Sequence, residues 1–165
     1  MADVSGSYLD PSIQIADWSH STDAEYCILR AEAGVQIPPH VSAAEYAPIL
    51  CAGVTVFNSM RQMGVSPGST VAIQGLGGLG HLAIQYANRF GFRVVAISRD
   101  AQKERFVRDL GAQEYIDTSK EDVATALQKL GGAALIVATA PNAPAISPLL
   151  KGLAPLGKLL ILAGM

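Results

Sequence analysis

Three glycines, Gly75, Gly77 and Gly80, stand in the spacing G-x-G-x-x-G inside VAIQGLGGLG, and the run leads straight into HLAIQYANRFG. A short apolar strand-like run precedes the glycines and an amphipathic helix-like segment follows them. That order constrains the fold more than any other feature of the chain. In such a turn the first glycine allows a tight reversal, the second lets backbone approach a diphosphate, and the third lets helix and strand pack closely. A diphosphate placed there faces the free N–H groups of a helix start. The expected contacts at this turn are Gly75, Gly77, Gly78, Leu79 and Gly80.

From the turn Ser66-Pro67-Gly68-Ser69 onward, short apolar runs alternate with helical segments that close on glycine. This is the signature of a parallel sheet built from βαβ units. Strands are expected over 70–74, 93–98, 114–117, 133–139 and 158–163, with helices near 78–90, 101–110, 119–130 and 142–153. Right-handed crossovers then give the strand order 3-2-1-4-5. The predicted fold class is α/β, a Rossmann-type doubly wound parallel sheet of five strands without the usual sixth. Residues 42–165 form that domain, and 1–41 form an irregular leading segment. Within the latter, 25–31 reads as a strand and Trp18 as a packing anchor. Between the two, Ser42 and Glu45 make a capping-box pattern. Ile49, Leu50, Val54, Phe57 and Met60 follow at helical spacing, in a helix that Pro48 splits and Gly64 stops.

A net charge of −2 offers no basic field for nucleic acid or an anionic membrane. The most apolar runs, AALIVATA and KLLILAGM, fall well short of the roughly 18 consecutive residues that cross a bilayer. Cys27 and Cys51 form no C-x-x-C pair, and the amino terminus lacks the pattern of a secretion signal. A reducing cytoplasm is the expected compartment.

The second strand ends at Ser98, where an NAD site usually places an acidic residue on the ribose 2′-hydroxyl. Here the chain reads Ser98-Arg99-Asp100-Ala101-Gln102-Lys103. A hydroxyl and a guanidinium bind a 2′-phosphate that a carboxylate would repel. Ser98, Arg99 and Lys103 are therefore assigned to NADP in preference to NAD. The alternative is that Arg99 and Lys103 form a solvated helix start capped by Asp100, which could also neutralise Arg99. Further contacts are expected beyond strands four and five, at Thr139, Ala140, Ala163 and Gly164, since ligands of open α/β sheets sit outside the carboxyl ends of the strands.

The phrases DAEYCILRAEAGVQIPP, AEYAPILCAGVTVFNSM, VAIQGLGGLGHLAIQYA, LGAQEYID, ATAPNA and LAPLGKLLILAG resemble those of zinc-type medium-chain alcohol dehydrogenases, of the microbial and cinnamyl-alcohol-dehydrogenase-like branches. The resemblance implies a nucleotide domain and a short remnant of a catalytic domain, about half of a usual member. In that family a catalytic zinc polarises an alcohol oxygen while hydride passes to or from the nicotinamide. Cys51, in LCAGVT, falls at one zinc-ligand position, but the family's Gly-His-Glu-containing region and its four clustered cysteines do not appear in this sequence. His20, His40 and His81 add no recognisable ligand spacing, so zinc is not expected. Cys51 reads most simply as a buried small hydrophobe, His40 as exposed, and His81 as packing or phosphate-adjacent.

Asp117, Glu121 and Asp122 are read as capping groups, and no G-x-S-x-G elbow supports hydrolase chemistry. Three functions stay open at this point. One is a truncated NADP(H)-binding alcohol dehydrogenase relative. A second is a nucleotide-sensing module that pairs with a second copy or a partner chain through the sheet edge after strand five. The third is a repurposed isomerase or cyclase taking a small apolar substrate in a cleft lined by Cys51, Phe57, Thr139 and Leu162 to Met165.

Overall fold

Residues 36–162 are described in the computed structural model. The strand expected over 25–31, Trp18, Cys27 and His20, and the candidate contacts Ala163 and Gly164, lie outside them. The chain divides at Pro38, and the architecture below is that of the unit starting at Pro39. It begins with α1 (Ala43–Pro48), a π-helical turn (Ile49–Gly53) and α2 (Val54–Gln62). Pro48 removes a ladder donor at the junction, as a proline must, and the helix widens into the π turn before resuming.

The π turn changes which face reaches the core. Val56 and Met60 are buried, whereas Leu50, Val54 and Phe57 of the expected stripe are exposed. A π turn holds more residues per turn than an α-helix, so a stripe counted at α-helical spacing drifts off the buried face. The capping box is likewise not formed: the Ser42 side chain makes no capping bond, and its carbonyl accepts from the Glu45 and Tyr46 amides.

Five parallel strands follow: β1 (Thr70–Gln74), β2 (Arg93–Ser98), β3 (Glu114–Asp117), β4 (Ala133–Ala138) and β5 (Leu153–Ile161). Their order is β3-β2-β1-β4-β5, as the alternation of strands and helices predicts. Alternate residues feed two cores, because successive side chains of a strand point to opposite faces. Val71, Ile73, Val94, Ala96, Leu135 and Val137 pack with α2, α3 (Gly78–Arg89) and Val107 of α4 (Lys103–Asp109). Ala72, Val95, Ile97 and Ile136 pack on the other face with α5 (Val123–Lys129) and with Ile146 and Leu149. Fully burying a residue such as Ile84 or Leu127 contributes about 1.5–3 kcal/mol, and both are completely inaccessible.

Several boundaries differ from expectation. The segment 142–153 forms α6 (Ala143–Ile146) followed by a 3-10 turn (Ser147–Gly152). Pro148 has no N–H to continue the α ladder. The fifth strand begins at Leu153, paired with Ala133, and resumes after a bulge at Lys158 opposite Leu135. Helices α4 and α5 start two and four residues later than expected, at Lys103 and Val123.

The register aligns the strand ends. Gln74 pairs with Ile97 on one side and Ala138 on the other, and Ser98 pairs with Asp117. The carboxyl ends of β1 to β4 therefore share one rim, with the reversal in strand order falling between β1 and β4, where open α/β sheets form their ligand crevice. No described helix is long and apolar enough to cross a membrane.

Candidate functional site

The rim opens into a cleft of about 610 Å³, within the range of small-molecule sites. Its first wall is the start of the glycine turn, Gly75 and Leu76; Gly77, Gly78, Leu79 and Gly80 are not among its lining residues. Gly75 has φ +90°, and a Cβ there would stand 2.8 Å from Thr139 Oγ1 and 2.9 Å from the Ala140 amide. Gly80 is buried, and a Cβ on it would run into the Gly75 carbonyl. Around Gly77 and Gly78 the space is open, with no atom within 4 Å of an added Cβ. The glycines thus divide the work: Gly75 and Gly80 allow the turn to close, and Gly77 and Gly78 leave a bare backbone surface.

Helix α3 starts at that surface with no side-chain cap. The first-turn amides of Gly78, Leu79 and Gly80 have no acceptor within their own helix, and the helix dipole adds partial positive charge at the same end. The cradle fits a diphosphate. His81 follows, its Nδ1 lying 3.2 Å from the Gly77 carbonyl and so engaged with the turn itself. The Leu79 side chain packs against the core.

The second wall is the tip of β2. Ser98, Arg99 and Lys103 line the same cleft as Gly75 and Leu76. Asp100 Oδ1 accepts from the Gln102 amide at 2.9 Å, and the Asp100 carbonyl accepts from the Lys103 amide at 3.0 Å. Asp100 forms a turn ahead of α4 rather than capping it, because the helix begins only at Lys103. Its carboxylate makes no ion pair with Arg99.

The third wall comes from the loop after β3, which the sequence reading did not assign to the site: Thr118, Glu121, Asp122 and Val123. Asp117, at the strand end, accepts from the Ser119 hydroxyl at 2.6 Å and the Ser119 amide at 3.0 Å. These two bonds hold its carboxyl below the usual carboxylate range, more than offsetting the effect of burial. Lys120 Nζ lies 3.2 Å from the other oxygen, and its charge lowers the carboxyl further. Asp122 caps α5, accepting from the Thr125 amide at 2.8 Å and its hydroxyl at 2.7 Å, and its carboxyl is also lowered. Asp122 is a helix cap, as expected, whereas Asp117 braces the turn after β3. Tyr115, on β3, donates to the Asp100 carbonyl at 2.6 Å, and burial raises its hydroxyl above the usual phenol value.

The fourth wall is the end of β4. Ala140, Pro141 and Asn142 line the cleft, with Ala145, Pro148 and Leu149 behind them. Thr139 does not. Its hydroxyl is 3.0 Å from the Gln74 carbonyl and 3.1 Å from the Gly75 carbonyl, one O–H shared between two acceptors of the glycine turn. Buried Gln74 reaches the Ala140 amide at 3.4 Å from the same place.

Cys51 is exposed, not buried as expected, because the residues before Gly53 in α1 and the π turn bury nothing. His40 is exposed. Among the described residues no three His, Cys, Asp or Glu side chains gather at one point. A catalytic zinc takes about three protein ligands, so the described residues do not fit that ion.

A sequence profile described as zinc-binding dehydrogenase matches residues 78–165. An alcohol dehydrogenase of Penicillium expansum, patD, is 70% identical over 140 residues, covering 85% of this chain and 41% of that protein. The Pseudomonas syringae quinone oxidoreductase structure superposes with a TM-score of 0.74 at 28% identity, over 81% of this chain and 42% of the other. A zinc-binding dehydrogenase of Sinorhizobium meliloti, solved bound to NADP, gives a TM-score of 0.65 at 28% identity, over 69% and 35%. The chain therefore spans about two fifths of the length of the Penicillium relative, 41%.

Proposed function

Because the chain belongs to the zinc-binding dehydrogenase family, we propose that its cleft holds NADP(H) and serves an alcohol dehydrogenase-like oxidoreduction. The observation that carries this reading is the convergence of Ser98, Arg99 and Lys103 on the cleft that Gly75 opens. The first-turn amides of α3 would hold the diphosphate. Ser98 and the two cations would take the 2′-phosphate, and Ala140 would face the nicotinamide ribose. A bound nicotinamide coenzyme supplies the hydride acceptor or donor.

The residues of the chain bind and orient. Asp100 accepts from the Gln102 amide and makes no ion pair with Arg99, so the Arg99 guanidinium is not tied to its neighbour. The NADP seen in the Sinorhizobium relative supports the same preference. An alcohol or its aldehyde is the substrate class carried over from relatives named alcohol dehydrogenases.

Calorimetry tests the reading directly. A charge-assisted hydrogen bond contributes about 1.5–3 kcal/mol, so NADPH should bind roughly tenfold to a hundredfold tighter than NADH. Arg99→Asp should abolish or reverse that ratio. Equal affinities in the unaltered chain, or no binding of either coenzyme, would overturn it.

A further inference from the structure

Arg99 and Lys103 flank a turn whose placement does not come from α4. That helix has seven residues and no side-chain cap, and helices so short are held by their surroundings rather than by their own ladder. The hold comes from β3. Tyr115 sits opposite Ala96 in the β2–β3 register, and it packs against the core. From that anchored ring the hydroxyl donates to the Asp100 carbonyl at 2.6 Å. The same carbonyl accepts the Lys103 amide at 3.0 Å, and the Asp100 carboxylate holds the Gln102 amide at 2.9 Å. One carbonyl thus joins three points: the strand that carries Tyr115, the residue after Arg99, and the backbone of Lys103.

We propose that Tyr115 is a positioning residue for coenzyme selection: by gripping the Asp100 carbonyl it sets the separation of the Arg99 and Lys103 cations and so the discrimination of a ribose 2′-phosphate from a 2′-hydroxyl. This rests on the reading of the cleft as an NADP(H) site. Tyr115 is not among the residues that line the cleft, so its effect is indirect. It should act on the phosphate-dependent part of binding and leave the diphosphate cradle untouched.

The test uses 2′,5′-ADP and 5′-ADP as probes, with NADPH and NADH beside them, in titration calorimetry on the unaltered chain and on Tyr115→Phe. Losing one ordinary hydrogen bond should weaken 2′,5′-ADP and NADPH by about threefold to tenfold, with 5′-ADP and NADH unchanged. In an Arg99→Ala, Lys103→Ala background the same change should have little further effect, since both cations that Tyr115 positions are then gone. Equal weakening of both probe classes, or no weakening, overturns the proposal. If the unaltered chain fails to prefer 2′,5′-ADP over 5′-ADP, the NADP(H) reading itself has failed, and that result is separable from the first.

Should Tyr115→Phe fold poorly, amide exchange in the unaltered chain decides. A preset turn keeps the Lys103 amide protected before any nucleotide is added, and a freely exchanging Lys103 amide overturns the proposal.

Discussion

The carbonyl of Gly75 occupies the place that a side chain on Gly80 would need. Gly77, two residues from the first, faces open space and has φ −89° and ψ −158°, backbone that any residue can adopt. The two glycines should therefore respond differently to the same substitution. Gly80→Ala forces helix and turn apart and should lower stability by about 1–3 kcal/mol, the range of overpacked sites. Gly77→Ala should fold with an unchanged denaturation midpoint yet lose NADPH affinity, because in the proposed binding mode the added methyl would stand in the way of the diphosphate. Urea unfolding and calorimetry on the pair check this, and a stability loss in Gly77→Ala would remove the distinction.

Thr139 links the end of β4 to the glycine turn through its shared hydroxyl. Thr139→Val keeps the shape and removes the donor, leaving the Gln74 and Gly75 carbonyls short of one bond. A net cost of about 0.5–1.5 kcal/mol is expected. If the turn holds the diphosphate common to both coenzymes, as proposed, NADPH and NADH should weaken together. A selective loss of NADPH would show that Thr139 touches the 2′-phosphate end instead.

Asp122 gives the acid response a direction. The Thr125 hydroxyl and amide hold its carboxyl below the ordinary value, so the folded state binds its proton less readily than the unfolded chain. The stabilisation is full above the unfolded pKa of about 4 and fades as pH falls through the folded value. Asp122→Ala should lower Tm at pH 7, and the gap between variant and parent should close as the pH drops below about 4. A pH-independent gap would assign the loss to packing rather than to the charged cap.

What was legible in the sequence follows from how local each signal is. The bounds of β1, β2 and β3 match expectation because apolar runs end at glycine or turn residues on both sides. The start of α5 does not, because Ser119 and Asp122 are both good caps on paper. Asp117 takes the hydroxyl and amide of Ser119, and the cap falls to Asp122. The first half of β5 was hidden because the Leu153–Ala133 pair is a tertiary choice. Of the residues that line the cleft, Gly75, Ser98, Arg99 and Lys103 were named from spacing. The β3 loop was not, although the rule that places ligands beyond strand ends applies to β3 as much as to β4. The inward turn of the Thr139 hydroxyl is a matter of side-chain direction, on which spacing says nothing.

Leu156 supplies the last prediction. It has φ +61° and is 99% exposed, in the bulge of β5 between Ala154 and Lys158. A residue other than glycine or asparagine is held in that conformation at a cost of about 1–2 kcal/mol. The exposed side chain recovers none of it by burial, so the surrounding pairing must impose the geometry. Just ahead of the bulge the Gln128 side-chain amide ties the chain down, donating to the Lys151 carbonyl at 2.8 Å and the Leu153 carbonyl at 2.9 Å. Leu156→Gly should raise stability, by something under the full conformational cost because glycine also gains entropy in the unfolded chain. Leu156→Asn should do the same with less entropy lost on folding, and Gln128→Ala should lower stability in both backgrounds. Denaturant midpoints decide it: a destabilised Leu156→Gly and Leu156→Asn would mean that the leucine side chain is buried against something, and the strain argument would fall.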